Sequence, residues 1–237
     1  MTMARGCFVT GTDTGVGKTW CAAALLTALR GRGHTALGLK PVASGCALTM
    51  HGPRSDDALL LREHSSPPAP PYEQINPYAL MAPIAPHLAA RREGVEVRIE
   101  RILAAVDSLR RQADFVVVEG VGGWYVPLNA RETVADLART LGLPVVLVVG
   151  IRLGCLSHAL LTAAAIQHSG CPLAGWIANR IDPHVACAED NIASLRERLP
   201  TPLLGIMPRM ERFEAERLAA EIDLMPLLTT PAGAGGP

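Results

Sequence analysis

The chain has 237 residues, 49% of them apolar and 19% charged, with 22 basic residues against 22 acidic ones. That length suits one α/β domain with a full hydrophobic core, and the composition excludes a disordered chain. The even balance, with no long block of either sign, gives no bulk electrostatic reason to bind nucleic acid or a membrane surface.

The chain passes almost at once into CFVTG (7–11), an apolar strand, so no secretory leader is expected. Next comes GTDTGVGKT (11–19), followed by a helical stretch over 18–30. TALGLK (35–40) is a second strand and stops on Lys40, ahead of a small polar loop carrying Ser44. In SDDALLLREH (55–64), Asp56 and Asp57 suit the positive end of a helix dipole. Residues 65–86 are proline-rich and aperiodic, which reads as a long ordered loop or a mobile excursion.

Regular alternation then resumes. Ile99, Ile102, Leu103, Val106 and Leu109 recur at three and four, which predicts a helix over 98–111. Strands follow at 114–120, 144–150, 173–179 and 202–207, separated by helices at 133–141, 156–168 and 189–198. Val116 to Val118 and Val145 to Val149 are apolar at consecutive positions, as in parallel strands buried on both faces. The fold class is therefore α/β: a doubly wound, mostly parallel sheet flanked by helices, in one domain over 1–228. The tail 229–237 is expected to fray.

The six cysteines show no Cys-x-x-Cys spacing and read as reduced core residues; no His-Glu-x-x-His pattern suggests a zinc site. No apolar run approaches the ~20 residues of a membrane span. A cytosolic location is expected.

The loop at 11–19 sits between strand and helix, the setting of a phosphate cradle. Backbone N–H groups of Gly15, Gly17 and Lys18 can face phosphate oxygens, Lys18 adds charge, and the Thr19 hydroxyl suits Mg²⁺. Its register is unusual, since the common Gly-x-x-x-x-Gly-Lys pattern would need glycine at Thr12, and Gly11 stands one place too early. Ligands of doubly wound sheets gather beyond the carboxyl ends of the strands. There Lys40 offers a second cation, against the plain alternative of a solvated strand-end lysine that carries little packing. Glu119 closes an apolar strand, where an unpaired carboxylate is costly, so it needs a cation: Mg²⁺ shared with Thr19, or a buried arginine.

These segments, together with NPYALMAPIAPHLAA, VEGVGGWYVPL, GIRLGCLSHALLTA and GWIANR, closely resemble the dethiobiotin synthetase family, in order and over roughly residues 8–207. Relatives share the longer phosphate loop. The resemblance implies a homodimeric P-loop enzyme that closes a ring on 7,8-diaminopelargonate with CO₂ and MgATP, through a carbamate and a carbamic–phosphoric anhydride. It implies catalytic roles for Lys40 and Lys18, and substrate contacts from Thr14 and Ser44. Gly154, Cys155, Leu156 and Ser157 of a partner subunit would hold the substrate carboxylate. The nucleotide falls to Gly15, Val16, Gly17, Lys18, Thr19, Trp20 and the stretch Glu119, Gly120, Val121, Gly122. Asn179 and Arg180, with Met207, Pro208 and Arg209, would flank the base. Thr19, Asp57 and Glu119 would hold Mg²⁺; Asp57 is preferred to Asp56 because it begins Asp-Ala-Leu. Gly15 stands where relatives often carry an acid, and Arg180 where an acid can occur. A cobyrinate-type amidoligase would need a glutamine-hydrolysing domain, for which there is no room. A partitioning ATPase would need a basic surface or amphipathic tail, which is missing from the sequence.

Overall fold

A computed structural model describes residues 5–229. The chain opens with β1 (Arg5–Gly11), α1 (Lys18–Gly31) and β2 (Ala36–Leu39). Short elements follow: β3 (Val42–Ser44), β4 (Ala47–Thr49), β5 (Gly52–Arg54), α2 (Asp56–His64), α3 (Tyr72–Ile75), β6 (Tyr78–Leu80) and α4 (Pro86–Arg92). Longer units then alternate: α5 (Ile99–Arg110), β7 (Phe115–Glu119), α6 (Val134–Leu141), β8 (Val145–Gly150), α7 (Cys155–His168), β9 (Leu173–Asn179), α8 (Ala188–Arg198) and β10 (Leu203–Met207). Two short helices, α9 (Ala215–Ala220) and α10 (Met225–Thr229), end the described residues. The tail expected to fray lies outside them except for Thr229, which closes α10.

Six strands form one sheet in the order β10-β9-β8-β1-β7-β2, and every neighbouring pair is parallel. The valine runs are apolar throughout because both faces are covered. Phe8, Val116 and Val118 face the side packed by α5, α6 and α7, whereas Cys7, Val9 and Val117 face α1 and α9. Among the described residues all six cysteines are free and five are buried; Cys187 is exposed. Strand order reverses around β1, which has β7 on one side and β8 on the other, so the ligand crevice opens beyond Gly11, Glu119 and Gly150.

The segment 65–86 is ordered. It contributes α3, β6 and the first residue of α4, and β6 pairs in parallel with β3 so that Leu80 lies opposite Ser44. The strand-end lysine is not the solvated one of the plain alternative. Lys40 is only 3% exposed, so it is a core residue with a charge rather than a solvated one.

Candidate active site

The loop leaving β1 ends at Gly17, which takes φ +86° and caps α1 without any side-chain bond. The opening N–H groups of α1 therefore meet no capping side chain, the arrangement of an anion site. Glycine is required at this position twice over. The left-handed backbone favours it, and a Cβ would collide with Asn179 Nδ2. That amide comes from the end of β9 and donates to the Val16 carbonyl at 2.8 Å. Asn179 thus fastens the phosphate loop from below. Gly15 differs: it has φ +74°, but a Cβ there would meet nothing within 4 Å, so a side chain would stand in the open cleft.

Lys18 is buried to 7% exposure and folds back to donate to the Asp13 carbonyl at 2.9 Å. Burial, and then the nearby Lys40 charge, hold its ammonium down at about 8. The Asp13 carboxylate accepts from the Thr14 N–H at 2.7 Å and pairs with Arg152 at 2.8 Å, tying the added arc of the loop to the segment before α7.

Lys40 lies between two carboxylates, 2.6 Å from Glu119 Oε1 and 2.7 Å from Asp57 Oδ2. Thr19 Oγ1 donates to the same Glu119 oxygen at 2.8 Å. Burial pulls the Lys40 pKa down, but its two carboxylate partners outweigh burial and raise it, so Lys40 stays an ammonium. Burial pushes Asp57 up, yet Lys40 and the hydroxyl of Thr19 hold it below the usual carboxylate range. Burial lifts Glu119 against the pull of Lys40. Asp57 does two things at once: it sits in the first turn of α2, capped by Ser55, and its side chain reaches Lys40.

These groups line one cleft of about 830 Å³. Thr14, Gly15, Gly17, Lys18, Thr19 and Trp20 come from the phosphate loop and α1; Lys40, Ser44, Asp57, Glu119, Val121 and Gly122 come from the neighbouring strand ends and α2. Val16 is buried beneath the loop, and Gly120 packs on Phe8. Arg180 and the stretch Met207, Pro208, Arg209 stand together at the ends of β9 and β10, where the Arg180 N–H donates to the Met207 carbonyl at 3.1 Å. Gly154, Cys155, Leu156 and Ser157 open α7; its cap is Gly154, and no side chain caps it, Ser157 included. Pro83, Ile84 and Pro86 complete the cleft wall, from the NPYALMAPIAPHLAA stretch to which no site role was given.

The donor set fits a magnesium ion. Glu119 Oε2 is buried without a hydrogen-bond partner. Among the described residues no cluster of three His, Cys, Asp or Glu side chains could hold a metal alone. Two carboxylates and a hydroxyl match the habit of Mg²⁺, which completes its shell with phosphate oxygens and water.

A family model described as an AAA domain matches residues 5–217. ATP-dependent dethiobiotin synthetase BioD of Cellvibrio japonicus is 54% identical over 221 residues, which are 93% of this chain and 96% of that protein. The chain belongs to the ATP-dependent dethiobiotin synthetase family. The synthetase of the same name from Pseudomonas aeruginosa is 55% identical, also over 93% of this chain and 96% of its own. Solved structures share the fold of this chain at lower identity. The septum site-determining protein MinD from Pyrococcus horikoshii, complexed with Mg-ADP, has a TM-score of 0.56 at 16% identity, covering 98% of this chain and 92% of its own. The receptor FtsY from Elizabethkingia anophelis in complex with GDP has a TM-score of 0.53 at 13% identity, covering 98% of this chain and 66% of its own.

Proposed function

We propose that this chain converts 7,8-diaminopelargonate, CO₂ and ATP to dethiobiotin, ADP and phosphate. The observation that carries the reading is the buried Lys40 ammonium between Asp57 and Glu119, with only β7 standing between its strand and the strand of the phosphate loop. The reaction brings a carbamate up to a triphosphate. Both are anions, and fixed cations aimed at the transferring group stabilise the charge that develops.

In this reading one amine of the diamine takes up CO₂ and loses a proton, giving a carbamate. A carbamate oxygen attacks the γ-phosphorus and ADP leaves. The second amine then attacks the activated carbonyl, loses a proton, closes the ring and expels phosphate. Lys40 supplies charge and does not serve as a base, because its carboxylate partners keep it protonated. Lys18 neutralises the outer phosphates, and the open N–H groups at the start of α1 receive their oxygens. Thr14 and Ser44 contact the diamine side of the cleft. Asn179 and Arg180, with Met207, Pro208 and Arg209, border the base; an amide offers both a donor and an acceptor to a base edge. Bound magnesium, held by Thr19, Asp57 and Glu119, would supply charge neutralisation of the phosphates.

The enzyme works as a homodimer in the cytosol. The substrate carboxylate docks on the uncapped start of α7 in a second copy, at Gly154, Cys155, Leu156 and Ser157. Leu153 beside that turn is 93% exposed and Leu161 on α7 is 67% exposed, an apolar face suited to a subunit contact. Among the described residues no helix is long and apolar enough to cross a membrane. The test is direct: purified protein with the diamine, bicarbonate, Mg²⁺ and ATP should yield dethiobiotin by mass. Absence of product under those conditions refutes the reading.

A further inference from the structure

The segment 65–86 supplies more than a wall. Tyr72 and Asn76 are 7% and 3% exposed, and their polar atoms form one continuous buried chain. The Ser55 N–H donates to the Tyr72 hydroxyl at 2.7 Å, and that hydroxyl donates to Asn76 Oδ1 at 2.8 Å. Asn76 Nδ2 donates to the Lys40 carbonyl at 2.7 Å and to the Tyr78 carbonyl at 3.2 Å. In return the Lys40 N–H donates to the Ile75 carbonyl at 2.8 Å. The Asn76 amide is thereby saturated: both its protons and its oxygen are used. Burial raises the Tyr72 pKa, which keeps the hydroxyl a donor, and the Arg54 guanidinium covers the ring at 4.1 Å.

The chain joins the pieces that carry the charged site. Ser55 caps α2, and two residues later comes Asp57. Lys40 is the residue after β2. Tyr78 begins β6, which pairs with β3 and so carries the strand of Ser44. The Lys40–Asp57 contact needs the end of β2 and the start of α2 at one fixed separation; β2 is bonded directly to the far end of α2, where the Ser66 N–H donates to the Ala36 carbonyl at 2.8 Å and the Gly38 N–H to Ser65 Oγ at 2.9 Å, and the Tyr72–Asn76 chain fastens the near end. A buried, fully satisfied network is the means of holding such a spacing.

We infer that Tyr72 and Asn76 are positioning residues for catalysis, acting through the Ser55–Tyr72–Asn76–Lys40 hydrogen-bond chain to hold Lys40 against Asp57. The inference rests on the function proposed above. A change there should lower kcat with little effect on ATP KM, since it displaces a group used in the transition state.

The experiment compares Tyr72→Phe with Tyr78→Phe. The Tyr78 hydroxyl is part-buried and accepts from the Arg98 N–H at 3.0 Å, but it lies off the chain. Expected for Tyr72→Phe are a kcat at least tenfold lower, an ATP KM within twofold of wild type, and weaker Mn²⁺ binding with ADP by electron paramagnetic resonance. Tyr78→Phe should leave all three unchanged. Thermal unfolding of each protein fixes an assay temperature at which both are folded, and Asn76→Ser repeats the comparison from the other end. Equal kcat and Mn²⁺ affinity in Tyr72→Phe and wild type overturn the inference while the proposed function stands. A wild-type protein that forms no dethiobiotin overturns the function itself, and the Mn²⁺ readout still judges the positioning role.

Discussion

Lys18 makes nucleotide binding a proton-uptake reaction. In the free protein its ammonium titrates at about 8, because burial and the Lys40 charge disfavour it. A bound polyphosphate is a strong reason to stay charged. Below pH 8 Lys18 is already protonated and affinity should be flat. Above it, the protein must take up a proton in order to bind. For one such group the free-protein penalty grows as 1 + 10^(pH − pKa), so affinity should fall about 25-fold between pH 7.5 and 9.5. The phosphate's own titration, near 6, lies outside that window.

Isothermal titration at pH 9 in buffers of different ionisation heat should report uptake of about 0.9 proton per nucleotide. Lys18→Gln should bind more weakly at pH 7.5 and lose the pH dependence. A wild-type affinity that is flat from pH 7.5 to 9.5, with no buffer dependence, refutes the argument. The same shift has a stability sign. The folded pKa lies below the unfolded one, so this group's contribution is complete above about 10.5 and is lost as pH falls through about 8. The free protein should therefore be about 3 kcal/mol less stable at pH 7 than this group alone would allow at pH 11.

Three further outcomes follow from the same contacts. Lys40→Ala should lower turnover at least a hundredfold and also destabilise by about 3–5 kcal/mol, because it leaves Glu119 buried without its cation. Adding Glu119→Gln should restore much of that stability, read by urea unfolding, without restoring turnover. Asn179→Ala frees the Val16 carbonyl and should cost about 1–2 kcal/mol of stability while raising the KM for ATP; Gly17→Ala should raise it further, since its Cβ collides with that amide. Leu161→Glu on the exposed face of α7 should yield monomers by sedimentation and raise the KM for the diamine, with nucleotide affinity unchanged.

The sequence made strand ends legible and left partners illegible. Valine runs predict buried parallel strands, and such strands place Glu119 and Lys40 at the ligand end by topology alone. That Lys40 would be buried between two carboxylates could not be read, because Asp57 and Glu119 are 17 and 79 positions away in the chain. β3 and β6, of three residues each, and α3, of four, are too short to show a period. For that reason 65–86 reads as loop. Tyr72 and Asn76 were missed because their bonds run mostly to backbone groups, which no side-chain pattern announces.

The charges of the cleft explain why nucleotide and metal should arrive together. Lys18 and Lys40 are balanced by Asp57 and Glu119, and the exposed Asp56 at the rim gives the free cleft no net positive charge. A bare triphosphate brings several negative charges into a partly buried cleft without net positive charge and meets Glu119 Oε2, which has no hydrogen-bond partner to shield it. Magnesium reverses that balance. Glu119→Gln should therefore act in opposite directions on two affinities. It removes one negative charge, worth about 2 kcal/mol at a separation of about 8 Å and an effective dielectric near 20. Metal-free ATP should then bind roughly thirtyfold more tightly than to wild type, while the gain from adding Mg²⁺ shrinks. Titrations with ATP in EDTA and in excess Mg²⁺ read both. If the substitution weakens metal-free ATP binding, Glu119 is a nucleotide contact and not a metal-facing charge.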